Sequence, residues 1–266
     1  MIPITGRTSV LGILGDPVVQ ARSPQLLNAR MAELGLDAVL VPLHVPPGGL
    51  AAAVAGLRAV RSFKGVVITM PHKQAIIPLL DELAPEGAQV GACNIVRRDG
   101  DGRLIGSMFD GEGFVAGLGQ AGHEVRGRRV FMAGAGGAAS GIAFALGKHG
   151  AAALTLHNRG TARAEELAAR VRAAWPAMDV TVGTADPAGH DIVVNATSLG
   201  MRPDDALPLD IAGLASGMVA AEIIMQPETT AFLAAGAGRG CVLHRGQAML
   251  AAQLDLMLEF LQIKIK

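Results

Sequence analysis

A lysine stands directly after an apolar run, in residues 65–74, which read GVVITMPHKQ. Valine, isoleucine and threonine favour a buried strand, and Pro71 cannot continue the hydrogen-bond ladder of such a strand. In open α/β sheets the carboxyl ends of the strands face the ligand crevice, so we expect Lys73 to reach such a crevice. An ammonium group whose pKa is tuned by burial can give a proton to a developing alkoxide, which hydride transfer to a ketone requires.

An aspartate is the candidate partner of this lysine. Asp110 lies in GSMFDGEGF, residues 106–114. A carboxylate close to Lys73 would favour its charged form. Two ordinary alternatives remain open, because aspartate before glycine is common in turns and most lysines are simply exposed. Spacing alone does not choose between them.

A glycine-rich turn lies between a predicted strand and a predicted helix, in RRVFMAGAGGAASGIAFAL at residues 128–146. Gly134, Gly136 and Ala139 fit the pattern G-x-G-x-x-G/A, in which the backbone approaches a pyrophosphate at the start of a helix. Any tight turn can be glycine-rich, so the flanking strand and helix carry the weight of the interpretation. Together they predict a dinucleotide site.

The following strand ends without the acidic residue that an NAD site usually carries. Residues 154–163 read LTLHNRGTAR, with Asn158 and Arg159 at the strand end. Arginine can hold a 2′-phosphate through charge-assisted, bidentate hydrogen bonds, so the pattern favours NADP. The alternative is a solvated arginine in a loop.

Strand-like apolar runs alternate with alanine-rich helical stretches, which indicates a parallel α/β architecture. Ser23 is expected to cap a helix with Pro24 at its first position, and DGDG at 99–102 to join a hairpin. The predicted strands are 10–14, 39–44, 65–69, 129–133, 153–157, 179–182, 191–195 and 218–223. The predicted helices are 24–34, 50–60, 73–80, 138–149, 162–174, 229–237 and 246–262.

The composition argues against several classes of function. The 266 residues include 23 basic and 23 acidic side chains, so no net charge attracts nucleic acid or an anionic membrane. No apolar run approaches the roughly 20 residues of a membrane span, and the first residues do not resemble a signal peptide. Cys93 and Cys241 indicate buried, reduced thiols in a cytoplasmic protein. The histidines show no paired ligand spacing, so no metal site is expected.

A series of ordered motifs resembles the shikimate dehydrogenase family over nearly the whole chain. These motifs are GDPVVQARSP at 15–24, GVVITMPHK at 65–73, GACN at 91–94, MFDGEGF at 108–114, GAGGAA at 134–139, NR at 158–159, VVNATSLGM at 193–201, PETTAFLAAGAGRG at 227–240 and GQAMLAAQ at 246–253.

The resemblance implies an α/β fold with two domains. An N-terminal α/β substrate domain would comprise residues 1–110, completed by a C-terminal helix within 245–266, and a Rossmann-like NADP-binding domain would comprise residues 111–244. The implied activity is reversible hydride transfer between NADP(H) and a cyclic hydroxy acid such as shikimate, in the chorismate pathway of aromatic amino acid biosynthesis. The implied partner is a small molecule, and the protein is expected to be a monomer or a homodimer.

The resemblance also assigns roles to single residues. Lys73 and Asp110 would form the catalytic pair. Ser23 and Gln253 would contact the carboxylate of the substrate. Thr69 and Asn94 would contact the hydroxyls of the substrate. The residues expected at the cofactor are Gly134, Gly136, Gly137, Ala138, Asn158, Arg159, Asn195, Thr197, Met201 and Gly246.

Several positions depart from the usual residues of the family in one direction, each exchanging a hydrogen-bonding side chain for an apolar one. These positions are Ala21, Val67, Met108, Phe109 and Met225. A buried hydroxyl without a partner costs about 1–3 kcal/mol, although Met and Phe can also merely repack a wall. Quinate, aminoshikimate and a less hydroxylated ring acid are therefore alternative substrates. A non-catalytic NADP-binding sensor is the alternative from another class of function.

Overall fold

The computed structural model describes residues 3–263 and divides the chain into two compact units. The first unit comprises the residues up to Phe109 and those from Gln253 onward, and the second runs from Asp110 to Ala252. These bounds differ from the expected domain bounds in that the second unit includes Asp110 and residues 245–252.

The first unit is built on a six-stranded mixed sheet. Its strands are β1 (Ser9–Gly15), β2 (Ala38–His44), β3 (Phe63–Ile68), β4 (Glu82–Leu83), β5 (Ile95–Arg98) and β6 (Leu104–Ser107), and its helices are α1 (Ser23–Glu33), α2 (Leu50–Ala59) and α3 (Pro85–Val90). The strand order is β2-β1-β3-β5-β6-β4. β1 runs parallel to β2 and β3, whereas β5 is antiparallel to β3 and to β6.

Side-chain alternation gives this sheet an apolar core on each face. On β3, Val67 packs into one cluster, whereas Val66 and Ile68 pack into the other. Successive side chains of a strand point to opposite faces, so an unbroken apolar run is buried on both sides. The run that precedes Lys73 is therefore a central strand.

The second unit is built on a six-stranded parallel sheet. Its elements are α4 (Asp110–Gln120), β7 (Arg129–Ala133), α5 (Gly137–Lys148), β8 (Ala153–His157), α6 (Thr161–Ala174), β9 (Asp179–Val182), β10 (Ile192–Asn195), β11 (Val219–Glu222), α7 (Ala231–Gly238), β12 (Val242–His244) and α8 (Gln247–Leu261), which crosses the boundary at Gln253. The strand order is β12-β11-β10-β7-β8-β9, with every pair parallel. The order reverses between β7 and β10, which is the switch point of a doubly wound, Rossmann-like sheet.

The predicted α/β fold and the hairpin around residues 99–102 are confirmed, since β5 and β6 pair across that turn. Two local predictions are wrong. Arg22 takes the N-cap position of α1, without a side-chain cap, and Ser23 is already helical. The first turn of a helix does not use its N–H groups internally, so Pro24 is tolerated at the second position as well.

The short helix expected over residues 73–80 does not form. Residues 70–76 make consecutive turns, and a single 3-10 turn follows at Ile77–Leu79. Pro78 explains this difference, because its ring removes a backbone N–H and collides with the preceding helical turn. Lys73 therefore lies on a compact turn rather than on a helix.

Candidate active site

The turn that carries Lys73 is tied to its neighbours through the backbone. The carbonyl of Lys73 accepts a hydrogen bond from the Cys93 N–H at 2.8 Å. The ring of the buried His72 lies 2.7 Å, through Nε2, from the carbonyl oxygen of Val45, just beyond β2. His72 therefore has a structural partner, whereas the half-buried Lys73 is held in place at the sheet edge.

The predicted substrate residues of the first unit collect at one edge of its sheet. Thr69 follows the end of β3 and donates its N–H to the carbonyl of Leu14, near the end of β1. Ser23 is buried at the start of α1, the element that follows β1. Asn94 precedes the antiparallel β5, and its carbonyl accepts the N–H of Ile68 at 2.7 Å. The carboxyl ends of β1 and β3 therefore share this edge with Asn94.

Asn94 also joins Gln253 to the segment before Asp110. Its Nδ2 donates to Gln253 Oε1 at 2.9 Å, and its Oδ1 accepts from the Phe109 N–H at 2.9 Å. Asn94 and Gln253 are each 1% exposed. The structure thus brings together two predicted residues that are 159 positions apart. Asp110 itself is buried as the first residue of α4 in the second unit.

The glycine-rich turn of the second unit has the shape that a pyrophosphate needs. Gly134 has a φ of +117°, and a Cβ there would lie 2.6 Å from the carbonyl oxygen of Ala196. Around Gly136, in contrast, a Cβ would meet nothing within 4 Å, so the space beside the N-cap of α5 is open. Gly137 and Ala138 form the first turn of α5, whose N–H groups suit a phosphate.

The end of β8 fits a 2′-phosphate better than a free ribose hydroxyl. Asn158 Nδ2 donates to the Gly160 carbonyl at 2.9 Å, which shapes the turn, and Arg159 is exposed. The sequence interpretation missed Arg163, an exposed residue in the first turn of α6. Its spacing of four from Arg159 could have suggested it. The two guanidinium groups and the glycine-rich turn together fit NADP.

A buried carboxylate that the sequence did not predict as a site residue lies among the predicted cofactor residues. Glu222, the last residue of β11, stands opposite Asn195 in the parallel register of β10 and β11. Asn195 Nδ2 donates to Glu222 Oε2 at 2.9 Å, and Thr197 Oγ1 donates to Asn195 Oδ1 at 2.7 Å. Burial raises the pKa of the Glu222 carboxyl to about 6. Met201 is half-buried further along the same loop.

Gly246 is required by a close approach of two backbone segments. A Cβ at Gly246 would lie 2.7 Å from the carbonyl carbon of Ile223. No side chain larger than hydrogen fits there without a shift of the loop after β11. Gly246 thus allows the start of α8 to pack against this loop.

Three of the five departing positions belong to a single hydrophobic cluster of the first unit. Val67 is buried in it, and Ala21 and Phe109 pack against it. The ring of Phe109 also meets that of Phe260 edge-on, with centroids 5.7 Å apart. Met108 is buried and Met225 is half-buried. The exchanges at Ala21, Val67 and Phe109 therefore contribute to one apolar cluster.

The described residues provide neither a cluster of metal ligands nor a helix suited to the membrane. Within residues 3–263, no group of three or more His, Cys, Asp or Glu side chains could hold a metal ion. In the same part of the chain, no helix combines the length and the apolar character that crossing a membrane demands. Cys93 and Cys241 are both buried, and neither is part of a disulfide.

Comparison with known proteins connects this geometry to one family. A family model described as the shikimate dehydrogenase substrate binding domain matches residues 13–96, and one described as shikimate / quinate 5-dehydrogenase matches residues 118–200. A shikimate dehydrogenase (NADP(+)) of Geobacter metallireducens is 40% identical over 259 residues, which cover 94% of this chain and 90% of that protein.

Solved structures show the same likeness over the full length. The shikimate 5-dehydrogenase of Thermus thermophilus, solved with NADP(H) and shikimate, is 29% identical, with a TM-score of 0.86 over 96% of this chain and 94% of that one. The 5-ketofructose reductase of Gluconobacter sp. strain CHM43 is 33% identical, with a TM-score of 0.84 over 98% and 95% of the two chains. The chain belongs to the shikimate dehydrogenase family.

Proposed function

We propose that this protein is an NADP-dependent oxidoreductase acting on a CH–OH group. It would interconvert a cyclic hydroxy acid and its oxo acid, with shikimate and 3-dehydroshikimate as the leading pair. The NADP-dependent shikimate dehydrogenase of Geobacter metallireducens and the Thermus structure with NADP(H) and shikimate support this assignment. A place in the chorismate pathway follows from the same pair of compounds.

One observation carries the proposal. Thr69, Lys73 and Asn94 lie at the same edge of the first sheet, where β3 ends, and Asn94 is hydrogen-bonded to Gln253. Ligands of open α/β sheets bind outside the carboxyl ends of the strands. A hydroxyl, an ammonium and two carboxamides at such an edge suit a small, polar and anionic ring compound.

The proton chemistry falls to the lysine. When the alcohol is oxidised, its carbon loses a hydride and its hydroxyl proton passes to the Nζ of a neutral Lys73. In reduction the ammonium of Lys73 returns that proton to the forming alkoxide. Asp110, at the start of α4, would orient Lys73 and favour its charged form. Ser23 and Gln253 would hold the carboxylate, which fixes the ring relative to the lysine.

The second unit would hold the cofactor, which supplies or accepts the hydride. The turn at Gly134, Gly136 and Gly137 would receive the pyrophosphate at the start of α5. Arg159 and Arg163 would hold the 2′-phosphate by charge-assisted hydrogen bonds. Asn195, Thr197 and Met201 would border the nicotinamide half. Asn158 would shape the turn through its bond to Gly160.

A second substrate class is favoured by the apolar cluster to which Ala21, Val67 and Phe109 contribute. A ring hydroxyl that faced it would lose its water without gaining a hydrogen bond, at a cost of about 1–3 kcal/mol. Two such losses correspond to roughly a hundredfold or more in transition-state binding. A ring acid with fewer hydroxyls avoids that cost. The protein of similar fold from Gluconobacter is named for a different substrate, 5-ketofructose.

We further propose a reducing compartment such as the cytoplasm, supported by the absence of a disulfide at the buried Cys93 and Cys241. The expected assembly is a monomer or a homodimer. Light scattering coupled to size-exclusion chromatography would measure the mass in solution, and a tetramer would contradict this expectation.

The decisive test is NADP-linked oxidation, followed by the absorbance of the reduced nicotinamide. Shikimate, quinate and a series of ring acids with fewer hydroxyls are compared by kcat/KM. Highest efficiency with shikimate supports the leading assignment, and highest efficiency with a less hydroxylated acid supports the second. NADP binding without turnover of any hydroxy acid would instead indicate a sensor.

A further inference from the structure

Glu222 is a fully buried carboxylate that accepts four hydrogen bonds. Its Oε1 accepts the backbone N–H groups of Ile223 at 2.9 Å and Ile224 at 3.0 Å. Its Oε2 accepts Asn195 Nδ2 and Thr230 Oγ1, both at 2.9 Å. All four donors are neutral. Burying a charge is costly, and an apolar residue would fill the same space more cheaply, so packing alone does not explain a glutamate here.

The carboxylate sets the orientation of the Asn195 amide. An ionised carboxylate can only accept, so it is the NH2 group of Asn195 that must face Glu222. The Oδ1 of Asn195 then faces the other way, where it accepts the N–H of Thr197 at 3.1 Å and its hydroxyl at 2.7 Å. The second N–H of the Asn195 amide reaches the carbonyl of Leu199 at 2.9 Å. The loop after β10 is therefore folded around one fixed amide.

This loop lies at the switch point of the sheet. Asn195 stands between Ala133 and Glu222 in the registers of β7, β10 and β11. The carbonyl oxygen of Ala196 would be 2.6 Å from a Cβ at Gly134, so the loop packs directly on the glycine-rich turn. A dinucleotide spans the crevice at such a point. With the 2′-phosphate at the end of β8, the nicotinamide half falls on the side of β10 and β11.

The same carboxylate holds a second loop on that side. Its Oε1 fixes the backbone at Ile223 and Ile224, against which Gly246 makes its close approach. The hydroxyl of Thr230, bonded to Oε2, also caps α7 by accepting the N–H of Leu233 at 3.3 Å. Glu222 is therefore the common partner of the loops after β10 and β11 and of the start of α7.

We infer that Glu222 is a positioning residue for hydride transfer: by fixing the Asn195 amide, it holds the two loops that orient the nicotinamide half of the cofactor. This inference rests on the proposed NADP-dependent function. It assigns Glu222 no contact with substrate or cofactor. It separates orientation of the nicotinamide from affinity for the rest of the cofactor, which the glycine-rich turn and Arg159 provide.

The first test is Glu222→Gln, an isosteric change that lets the side chain donate as well as accept. Asn195 can then turn over, so the amides of Thr197 and Leu199 should lose hydrogen-exchange protection in the cofactor-free protein. We expect kcat to fall about 10- to 100-fold, because small errors of orientation have large effects on rate. The Kd for NADPH, measured by fluorescence titration, should change less than about threefold. Normal kcat together with unchanged exchange would overturn the inference.

Val171→Ala is the matched control for lost stability. Val171 is buried in α6, which packs against β8 and β9 on the opposite half of the sheet. This variant should unfold more easily while kcat remains within about twofold of the wild-type value. If it lowers kcat as much as Glu222→Gln does, the effect is one of general stability and the inference fails.

A double-mutant cycle with Asn195→Ala tests the route of the effect and serves if Glu222→Gln folds poorly. If Glu222 acts through Asn195, the double variant should be about as slow as Asn195→Ala alone, whereas additive losses would contradict this route. Hydrogen exchange and NADPH binding do not depend on turnover. A wild-type protein that oxidises no hydroxy acid would therefore refute the proposed function, whereas unchanged hydrogen exchange at Thr197 and Leu199 in Glu222→Gln would refute the role of Glu222.

Discussion

At the scale of single residues, the proposed proton chemistry rests on Lys73. We expect Lys73→Ala to lower kcat about 10²- to 10⁴-fold, the usual range for removal of a general acid or base. The Kd for NADPH should stay within about twofold, because the residues proposed to bind the cofactor are elsewhere in the chain. Rapid-mixing kinetics and fluorescence titration measure the two quantities.

The control for this change is Lys64→Ala. Lys64 lies near the start of β3, the strand that leads to Lys73, and therefore away from its carboxyl end. Its loss should leave kcat nearly unchanged. A Lys73→Ala enzyme that keeps most of its rate would remove the lysine from the mechanism.

We also expect cofactor preference to depend on Arg159, one of the two arginines proposed to hold the 2′-phosphate. Arg159→Ala should raise the KM for NADP about 10- to 100-fold, since hydrogen bonds to a charged group are worth about 1.5–3 kcal/mol. The KM for NAD, which lacks the 2′-phosphate, should change little. Steady-state kinetics with both cofactors check this selectivity, and an equal loss for NAD and NADP would place Arg159 away from the 2′-phosphate.

The sequence located candidate site residues that lie in local patterns. It did not reveal candidates whose partners are brought close only by the pairing of two strands. Lys73 follows an apolar strand and Gly134 a strand-to-helix turn, so each could be located from its neighbours. Glu222 has its partner Asn195 on another strand, and only the pairing of β10 with β11 brings them together. Local sequence does not contain that register. The contact between Asn94 and Gln253 was likewise hidden, although the family motifs had pointed to both residues.

At the scale of elements, we expect α8 to link stability to substrate binding. Gln253 and Met257 are four residues apart on its buried face, and each is 1% exposed. Met257→Ala should lower the free energy of unfolding by about 2–4 kcal/mol through the cavity that it leaves. Because the helix then holds Gln253 less firmly against Asn94, the KM for substrate should rise as well.

Leu256→Ala gives the comparison within the same helix. Leu256 is 38% exposed, so the same kind of change should cost less than about 1 kcal/mol and leave the KM unchanged. Urea unfolding and steady-state kinetics measure both effects. Equal losses for the two variants would mean that the buried face of α8 does not control the position of Gln253.

Element type followed from the sequence wherever an apolar run was uninterrupted. The cores of β3, β7 and β10 were predicted because consecutive apolar residues are buried on both faces of a sheet. The helix predicted over residues 73–80 does not form, because Pro78 lies inside it. The sequence interpretation also missed β12, whose three residues are too few to show a period.

At the scale of the whole molecule, two buried groups in the second unit should contribute opposite pH dependences to stability. Burial lowers the pKa of His244 to about 4, and its Nε2 has no hydrogen-bond partner within the described part of the chain. The folded state therefore favours the neutral ring. His244 makes its full contribution to the free energy of unfolding above about pH 6.5. This contribution falls by about 3 kcal/mol in all as the pH decreases toward 4.

Glu222 acts in the opposite direction. Burial raises the pKa of its carboxyl from about 4.5 to about 6, so the folded state favours the protonated form. Its contribution is complete below about pH 4.5 and is lost as the pH rises to 6, by about 2 kcal/mol. Between these values each group changes stability by about 1.4 kcal/mol per pH unit with opposite sign. The two dependences should nearly cancel in the wild-type protein.

Single substitutions should reveal the pH dependence of stability that each group contributes. Trp175, the one tryptophan of the chain, lies in the second unit, and its fluorescence can follow urea unfolding of that unit. As the pH falls from 6 to 4.5, His244→Leu should become more stable relative to the wild-type protein, by about 2 kcal/mol, because only Glu222 still titrates. Glu222→Gln should become less stable by a similar amount. Three parallel pH profiles would show that neither group titrates differently in the folded and unfolded states, whereas divergent profiles would tie the flat wild-type response to the opposed burial of one imidazole and one carboxyl.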